Sequence, residues 1–258
     1  YKPHPGFTWS IHLDGDKEMH DKAVSQEGVY ERAVEAIKLA KEKGFRVTTN
    51  STFFSDADPE RVAKFLDETT ALGVDGMTVS PGYAYERAPD QQHFLKRSQT
   101  KQLFRDVFRH GKGKGWRLNQ SALFLDFLAG NQTYHCTPWG NPTRTVFGWQ
   151  KPCYLLGEGY AKTFKELMED TDWDAYGTGN YEKCADCMVH CGYEATAVAE
   201  TFGSLKAFAR VVKLTVLGPG REVIPEPPSP AESDSASGDD ASGADDIRKV
   251  QLPVLAER

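Results

Sequence analysis

Hydrophobic and polar positions alternate with two different periods along the first half of the chain. Runs rich in β-formers, some with a period of two, predict strands at residues 7–13, 45–49 and 74–80, with a shorter one at 117–119. Apolar residues on a single helical face predict helices at residues 29–43, 59–72, 100–110 and 122–129. Gly44 and Gly73 stand where helix-ending glycines belong, and Asp58-Pro59 starts the second helix. The pattern predicts an α/β fold.

Short connections between these strands and helices imply parallel pairing of the strands. In parallel α/β folds, ligand-binding side chains gather at the carboxyl ends of the strands. The candidates at these ends are His12, Asp14, Asn50, Ser51, Thr52, Ser80, Tyr83 and Tyr85. A polar residue in such a position more often caps a helix or forms a turn, so each residue is a candidate and not an assignment.

All five cysteines of the chain lie in one later region. They are Cys136, Cys153, Cys184, Cys187 and Cys191. A CxxC pair with a third cysteine nearby is typical of metal sites, and both iron–sulfur and zinc are compatible with it. The alternative is that the last three cysteines, spaced i, i+3 and i+7, are simply buried on one stripe of a helix. His135 and His190 are expected to support the ligands rather than to bind metal.

The surrounding segment is rich in glycine and proline, which predicts a hairpin at residues 146–156 and a helix at 160–168 within a loop-rich region. The odd cysteine number argues against a secreted disulfide scaffold and for a cytoplasmic protein. No apolar run reaches the length of a membrane helix.

Charge is concentrated at the end of the chain. Residues 221–258 hold nine acidic and four basic side chains, and this excess of acidic groups accounts for most of the formal net charge of −6. This segment is expected to be disordered because it has too few apolar residues to offset the entropy of ordering. The basic residues between 101 and 117 are expected to complement a helix dipole. Aromatic residues are not interleaved with them in a way that suggests stacked bases, so nucleic acid is not an expected partner.

Three motifs resemble radical S-adenosylmethionine (SAM) enzymes. Ile11-His12-Leu13-Asp14-Gly15, followed by His20-Asp21 and Gly28-Val29-Tyr30, is similar to the fourth strand of that family's barrel. The run Thr48-Thr49-Asn50-Ser51-Thr52 resembles the end of its fifth strand. This resemblance implies that His12, Asp14 and Asn50 position SAM.

The cysteine region carries the third motif. Cys136-x11-Gly148-x4-Cys153 resembles the opening of the auxiliary-cluster (SPASM or twitch) extension of such enzymes. Fewer cysteines are present than in the full seven-cysteine pattern, so the resemblance implies a single auxiliary [4Fe-4S] cluster. The local sequence of this region, for example His135-Cys136-Thr137-Pro138-Trp139-Gly140, is similar to that of the adenosyl-hopene transferases of hopanoid biosynthesis.

The resemblance implies three parts of the chain. Residues 1–130 would be the carboxyl-terminal part of a partial (β/α)6 TIM-like radical SAM barrel, 131–217 the cysteine-rich extension, and 218–258 the acidic tail. The CxxxCxxC run that holds the catalytic [4Fe-4S] cluster in the family does not occur here. That cluster is therefore expected upstream of Tyr1, and the chain alone is expected to be inactive.

The implied activity is addition of the 5'-deoxyadenosyl radical of SAM to hopene (diploptene), giving adenosylhopane. The expected partners are an apolar polycyclic substrate, an electron donor such as flavodoxin or ferredoxin, and a peripheral contact with the inner face of the membrane. The expected pocket walls are Tyr83, Tyr85, Phe94, Phe124, Trp139 and Trp149.

Three alternatives remain open from the sequence. One is a SPASM-type radical SAM enzyme with another substrate. Another is a binding module braced by zinc. The third is a conventional barrel enzyme that uses His12 and Asp14 for proton transfer.

Overall fold

The computed structural model describes residues 1–84, 88 and 91–218. Apart from Gly218, the expected disordered tail at 218–258 lies outside the described residues, as does Tyr85. The disorder of the tail therefore stays a prediction. The boundary expected near residue 130, between the barrel part and the cysteine-rich extension, also stays a prediction.

The first half alternates strands and helices as predicted. Its elements are β1 (Thr8–His12), α1 (Lys17–Ala23), α2 (Val29–Glu42), β2 (Arg46–Phe53), α3 (Pro59–Ala71), β3 (Gly76–Pro81), α4 (Arg97–His110) and α5 (Ala122–Leu128). The second half contains β4 (Arg144–Thr145), β5 (Gly148–Gln150), β6 (Tyr160–Ala161), α6 (Phe164–Glu169), α7 (His190–Gly203) and α8 (Leu205–Leu217). The α/β class is confirmed.

Strands β1, β2 and β3 form a parallel sheet in that order, as the short connections predicted. In its register, His12 lies beside Asn50 and Asn50 lies beside Thr78. Leu118, in the segment predicted as a fourth strand, adds a single parallel bridge to Met77. The larger six-stranded partial barrel stays a prediction.

One face of this sheet is packed against helices. Val47 and Met77 are fully buried there, in one apolar core with Ile37, Phe65 and Phe104 from α2, α3 and α4. Because side chains alternate between the faces of a strand, the intervening residues point to the other side.

That other face of the sheet is polar. Ser10, His12, Thr48, Asn50 and Thr78 lie on it, and all of them are exposed or half-buried. A row of hydroxyl, amide and imidazole groups on an open sheet face is suited to a polar ligand and not to a hydrophobic core.

Capping explains where the helices begin. Asp58 accepts a hydrogen bond from the Arg61 N–H at 2.8 Å, with Pro59 as the first residue of α3, as predicted. Asp16 caps α1 through the Met19 N–H at 3.1 Å. Helix α1 did not follow from the sequence pattern because its seven residues are too few to show a period.

The cysteine-rich half contains a small antiparallel sheet in the order β4-β5-β6. The predicted hairpin at 146–156 is only partly correct, since β5 ends at Gln150 and its second partner, β6, begins at Tyr160. Pro152 has no N–H to continue a ladder, so the chain leaves the sheet before Cys153. The helix predicted at 160–168 begins instead at Phe164.

Helices α5, α7 and α8 pack together beside this region. The rings of Phe127 and Tyr193 stack at 4.7 Å between centroids, joining α5 to α7. Asp126 is fully buried and accepts a hydrogen bond from Arg210 of α8 at 2.8 Å. The expected cysteine-rich segment is therefore held against the first half by the predicted helix α5 together with α7 and α8, which the sequence pattern did not predict.

A membrane-spanning helix is not found among the residues that the structure describes, because none of their helices combines the needed length and apolarity.

Candidate functional site

His12 and Asp14 form the centre of the strand-end site. His12 Nε2 lies 2.6 Å from Asp14 Oδ2, and the other carboxylate oxygen accepts a hydrogen bond from the Thr52 N–H at 2.7 Å. Asp14 is buried, whereas 56% of the His12 side chain is exposed. Both oxygens of Asp14 are thus engaged by the protein, and Asp14 fixes His12 against the end of β2.

Asn50 is the third predicted residue of this site. It stands directly beside His12 in the β1–β2 register and is half-buried. The structure therefore brings all three predicted cofactor-binding residues together, with His12 and Asn50 open to a ligand and Asp14 behind them.

His20 is a supporting residue whose contact the sequence did not reveal. Its Nδ1 accepts a hydrogen bond from the Asp14 backbone N–H at 3.1 Å, and 1% of the residue is exposed. Asp21 accepts hydrogen bonds from the backbone N–H groups of Gly28 and Tyr30, each at 2.8 Å. The His20-Asp21 and Gly28-Val29-Tyr30 motif therefore holds the loops around Asp14 rather than contacting the open face.

The two histidines of this site have opposite electrostatic environments. The hydrogen bond to Asp14 raises the pKa of His12 above its ordinary value. Burial lowers the pKa of His20. The arrangement therefore shifts the exposed imidazole toward its charged form and the buried one toward its neutral form.

Asn119 also reaches the polar sheet face and was not singled out as a site residue. Its Nδ2 donates to Thr78 Oγ1 at 3.2 Å. A Cβ on Gly76 would lie 1.9 Å from Asn119 Oδ1, so glycine here leaves room for the Asn119 side chain in its present position. The signal in the sequence is Gly76 at the start of a buried strand.

The five cysteines occupy separate elements but converge in space. Cys136 follows α5, Cys153 lies between β5 and β6, Cys184 ends a short 3-10 helix, Cys187 lies in the next turn, and Cys191 is in the first turn of α7. All five are free thiols. The alternative of a single helical stripe through the last three is wrong, because only Cys191 belongs to an α-helix.

Four of these cysteines line one cleft. Cys136, Cys153, Cys187 and Cys191 surround about 290 Å³ of empty space, part of it open to solvent, with Tyr154 and Gly192 among the other lining residues. A Cβ on Gly192 would lie 2.7 Å from Cys136 Sγ. Glycine at this position therefore lets the Cys136 thiol approach the first turn of α7.

Burial keeps these thiols protonated in the absence of a cation. It raises the pKa of Cys136 to about 12 and that of Cys191 to about 11, and it also raises the pKa values of Cys153, Cys184 and Cys187. Because metals bind the thiolate form, occupation of this cleft by a metal would release protons.

The donor set fits thiolate-bound iron–sulfur or zinc by its chemistry. Within residues 1–84, 88 and 91–218, however, no group of three or more His, Cys, Asp and Glu side chains is arranged so that it could hold a metal ion. The cleft therefore assembles suitable donors without presenting a finished coordination sphere.

The strand-end site and the cysteine region touch each other. Ser80, at the end of β3, lies 3.4 Å from His190 Nδ1, and the Tyr83 hydroxyl donates to the Lys183 carbonyl at 2.9 Å. His190 thus contacts the sheet, and its expected role beside the cysteines stays a prediction. His135 is exposed, and its carbonyl accepts a hydrogen bond from Thr196 at 2.9 Å.

The predicted aromatic pocket walls are dispersed. Phe124 is fully buried beside Phe127 in the core, and Tyr83 is also buried. Phe94 packs near Phe54. Trp139 contacts Trp173 with ring centroids 5.4 Å apart, and Trp149 contacts Phe164 at 5.1 Å. Phe124 is therefore a core residue, and the other described rings pack locally.

Comparison with solved structures finds similar chains at low sequence identity. One is described as "Native anSMEcpe with bound AdoMet", with 19% identity, a TM-score of 0.43, and coverage of 81% of this chain and 68% of that chain. Another is "Native anSMEcpe with bound AdoMet and Cp18Cys peptide", with 16% identity, a TM-score of 0.41, and coverage of 81% and 69%. Comparison with curated proteins gives no match.

A protein-family profile covers the part of the chain that joins the two sites. It matches residues 77–211, from β3 through most of α8, which is just over half of the 258 residues. The match includes all five cysteines. The chain therefore belongs to the family described as "Domain of unknown function (DUF3463)".

Proposed function

We propose that this chain is the carboxyl-terminal portion of a radical SAM transferase that adds the 5'-deoxyadenosyl radical to the exocyclic alkene of hopene. One observation carries the proposal. The polar sheet face with His12 and Asn50 lies next to a cleft lined by four cysteines. Ser80 at the end of β3 contacts His190, which lies beside Cys191 of the cleft. The motif resemblance of the same two regions supports it and is the basis for naming hopene.

When bound, SAM and a reduced [4Fe-4S] cluster supply the adenosyl radical. The residues of this chain contribute positioning. His12 and Asn50 offer nitrogen and oxygen atoms to the polar groups of SAM on the open sheet face. Asp14 orients His12, and by raising the pKa of His12 it favours the protonated form, in which the second ring nitrogen can also donate a hydrogen bond. The CxxxCxxC run is not part of the chain, so ligands for the catalytic cluster come from elsewhere in the enzyme.

The cysteine cleft has a separate task in this proposal. Its thiolates hold an auxiliary [4Fe-4S] cluster that braces the loops around Cys136 and Cys153 against α7. A flavodoxin or ferredoxin donates the electron for SAM cleavage. The acceptor is an apolar polycyclic molecule, which a site that excludes water would protect from side reactions of the radical.

SAM binding to the 258-residue chain tests the positioning residues directly. We expect SAM to bind in equilibrium dialysis and His12→Ala or Asn50→Ala to weaken it about tenfold each, the effect of roughly 1.4 kcal/mol. Lys38→Ala, at an exposed position on α2, is the matched control and should bind as the wild type does. Equal SAM affinity in all four proteins would contradict the assigned site.

The substrate is tested on the native enzyme, purified without oxygen together with its catalytic cluster. Supplied with SAM, a reduced flavodoxin and diploptene, it should form adenosylhopane, detected by mass spectrometry. Formation of 5'-deoxyadenosine without a hopene adduct would keep the radical SAM assignment and overturn the substrate.

The His12–Asp14 hydrogen bond of 2.6 Å also favours a second candidate, a conventional enzyme that uses this pair for proton transfer. That enzyme would work in air without a reductant and lose its activity in His12→Ala. It leaves the four-cysteine cleft without a role, so we rank it second.

A further inference from the structure

Helix α8 carries apolar side chains on two different faces. Its packed face consists of Ala207, Val211 and Leu214, which are buried or half-buried where α8 meets α5 and α7. A second set of apolar side chains, spaced by three, four and four residues, shares the outward face of the same helix. We call this set the outer stripe, and its members are Leu205, Phe208, Val212 and Val216.

The outer stripe is in contact with solvent along the whole helix. Leu205 is 89% exposed and Val216 is 76% exposed, and Phe208 and Val212 are exposed over about half of their surface. Single exposed apolar residues are common on soluble proteins, whereas a continuous apolar stripe is typical of a surface that binds a partner or a membrane. The outer stripe is therefore a candidate docking surface.

The packing of α8 fixes the direction of this stripe. Arg210 donates to the fully buried carboxylate of Asp126 at 2.8 Å, and Ser204 Oγ accepts the Ala207 N–H at 3.1 Å at the start of the helix. A rotation of α8 that turned the outer stripe inward would break the Arg210–Asp126 ion pair and expose Leu214. The outward orientation of the stripe is thus part of the fold.

The charges beside the outer stripe are all positive. Lys206 and Lys213 are exposed and stand about two turns apart on one side of α8, next to the stripe. Helix α8 contains neither aspartate nor glutamate. Neither lysine is ion-paired within the part of the chain that the structure describes. The surface therefore presents apolar side chains bordered by cations that are open to an anionic partner.

We propose that the outer stripe and its two lysines dock α8 onto an anionic phospholipid bilayer. An amphipathic helix that lies on a membrane places its apolar side chains at the acyl boundary and its lysines at the lipid phosphates. A second copy of the chain fits this surface less well, because a symmetric interface would bring the same lysines together. The inference rests in part on the proposed function, whose acceptor dissolves in lipid, and it deepens that function by naming the surface that meets the lipid.

Co-sedimentation of the full 258-residue chain with phospholipid vesicles tests this surface. We expect the chain to bind vesicles that contain phosphatidylglycerol more tightly than vesicles of phosphatidylcholine alone. Leu205→Ser should weaken partitioning about tenfold, a factor that burial of a leucine side chain supplies. Lys206→Gln should weaken binding to the anionic vesicles about fivefold, the effect of one cation near the membrane surface, and should leave binding to neutral vesicles unchanged.

Helix α2 offers matched controls for both changes. Leu39 and Lys38 are also neighbours on an exposed helical surface, so Leu39→Ser and Lys38→Gln should bind vesicles as the wild type does. All four replaced side chains are exposed, and circular dichroism verifies that the variants keep the fold. A wild-type chain that stays in the supernatant with both kinds of vesicle would overturn the inference, as would equal losses in Leu39→Ser and Leu205→Ser.

Two further measurements identify other occupants of the outer stripe. Added salt should weaken vesicle binding, because it screens the attraction between lysine and phosphate. Binding that grows with salt would assign the lysines to the acidic residues 219–258 and overturn the inference. A wild-type dimer in ultracentrifugation that Leu205→Ser dissociates would assign the stripe to a second copy and overturn it as well.

Vesicle binding needs neither SAM, nor a cluster, nor hopene. A chain that binds SAM but no vesicles would therefore overturn the membrane surface and leave the proposed function standing. A chain that binds vesicles through α8 but does not bind SAM would uphold the membrane surface and contradict the proposed SAM site.

Discussion

At the scale of single residues, the strand-end site depends on one carboxylate that makes hydrogen bonds to two strands. Asp14 follows β1, contacts His12 at 2.6 Å, and accepts the Thr52 N–H of β2 at 2.7 Å. The buried His20 in turn accepts the Asp14 N–H. The position of His12 is therefore set by groups behind the open sheet face.

This arrangement predicts opposite titrations of the two histidines. Hydrogen bonding to Asp14 raises the pKa of His12 above 6.5, and burial lowers that of His20 below it. The stability contributed by His12 is full below pH 6.5 and is lost as the pH rises through its raised pKa. Neutral His20 favours the folded state above pH 6.5, and this contribution is lost as the pH falls toward its lowered pKa.

NMR titration of the imidazole signals checks these directions. In Asp14→Asn the amide can still accept the Thr52 N–H while the charge is gone, so the His12 midpoint should fall. A midpoint of His12 that does not change in Asp14→Asn, or that lies below the midpoint of His20 in the wild type, would contradict the assigned pairing.

Gly192 provides a second prediction at this scale. A Cβ there would lie 2.7 Å from Cys136 Sγ, so Gly192→Ala should lower the free energy of unfolding by about 1–3 kcal/mol, as overpacking does. Gly203→Ala is the control on the same helix, because a Cβ at 203 meets no atom within 4 Å. Urea denaturation measures both, and equal stability of the two variants would argue against a close packing of Cys136 on α7.

At the scale of elements, the sequence pattern predicted the three parallel strands and helices α2 to α5, most of them with nearly correct ends. It ended the second strand at residue 49, whereas β2 continues to Phe53. The first three extra residues, Asn50, Ser51 and Thr52, are polar: Asn50 lies on the open face and Ser51 is buried on the other side. A run of polar residues is also typical of a loop, so the polar residues at the end of β2 led the sequence pattern to end this strand too early.

Helices α7 and α8 were missed for a different reason. Cysteine and glycine near the start of α7 indicate a ligand-bearing loop, and the helix is fixed by long-range packing such as the stacking of Tyr193 on Phe127. Likewise, the convergence of Cys136 with Cys191 and the contact of Ser80 with His190 depend on tertiary structure. Local spacing identified the cysteines as candidates but gave no means of choosing among them.

The contact between α5 and α8 gives a prediction at the same scale. Asp126 is fully buried and is bound by Arg210 at 2.8 Å, by Asn131 at 2.9 Å and by Gln132 at 2.7 Å. Arg210→Met should therefore lower the free energy of unfolding by about 1.5–3 kcal/mol, the contribution of a hydrogen bond to a charged group. It should also loosen the packing of α8. Hydrogen exchange of the α8 amides reports the change.

Lys213→Met is the matched control, since Lys213 is exposed on the same helix. It removes an equal charge with a similar change of side chain. If the two variants protect the α8 amides equally, the buried carboxylate does not hold this helix in place.

At the scale of the whole molecule, the described chain joins two half-sites. The polar face of the sheet formed by β1, β2 and β3 meets the cleft lined by cysteines, which is formed by the loops after α5 and β5 and by α7. The family match from 77 to 211 spans the junction between them. Under the proposed function, neither half acts alone, since the sheet face would position SAM and the cleft would hold the auxiliary cluster.

The most direct test of this account is the iron, sulfide and zinc content of the 258-residue chain after anaerobic reconstitution, with its absorption and EPR spectra. We predict about four iron and four sulfide per chain, with the spectra of a [4Fe-4S] cluster. One zinc and no sulfide would contradict the auxiliary cluster and reduce the cysteines to a structural brace.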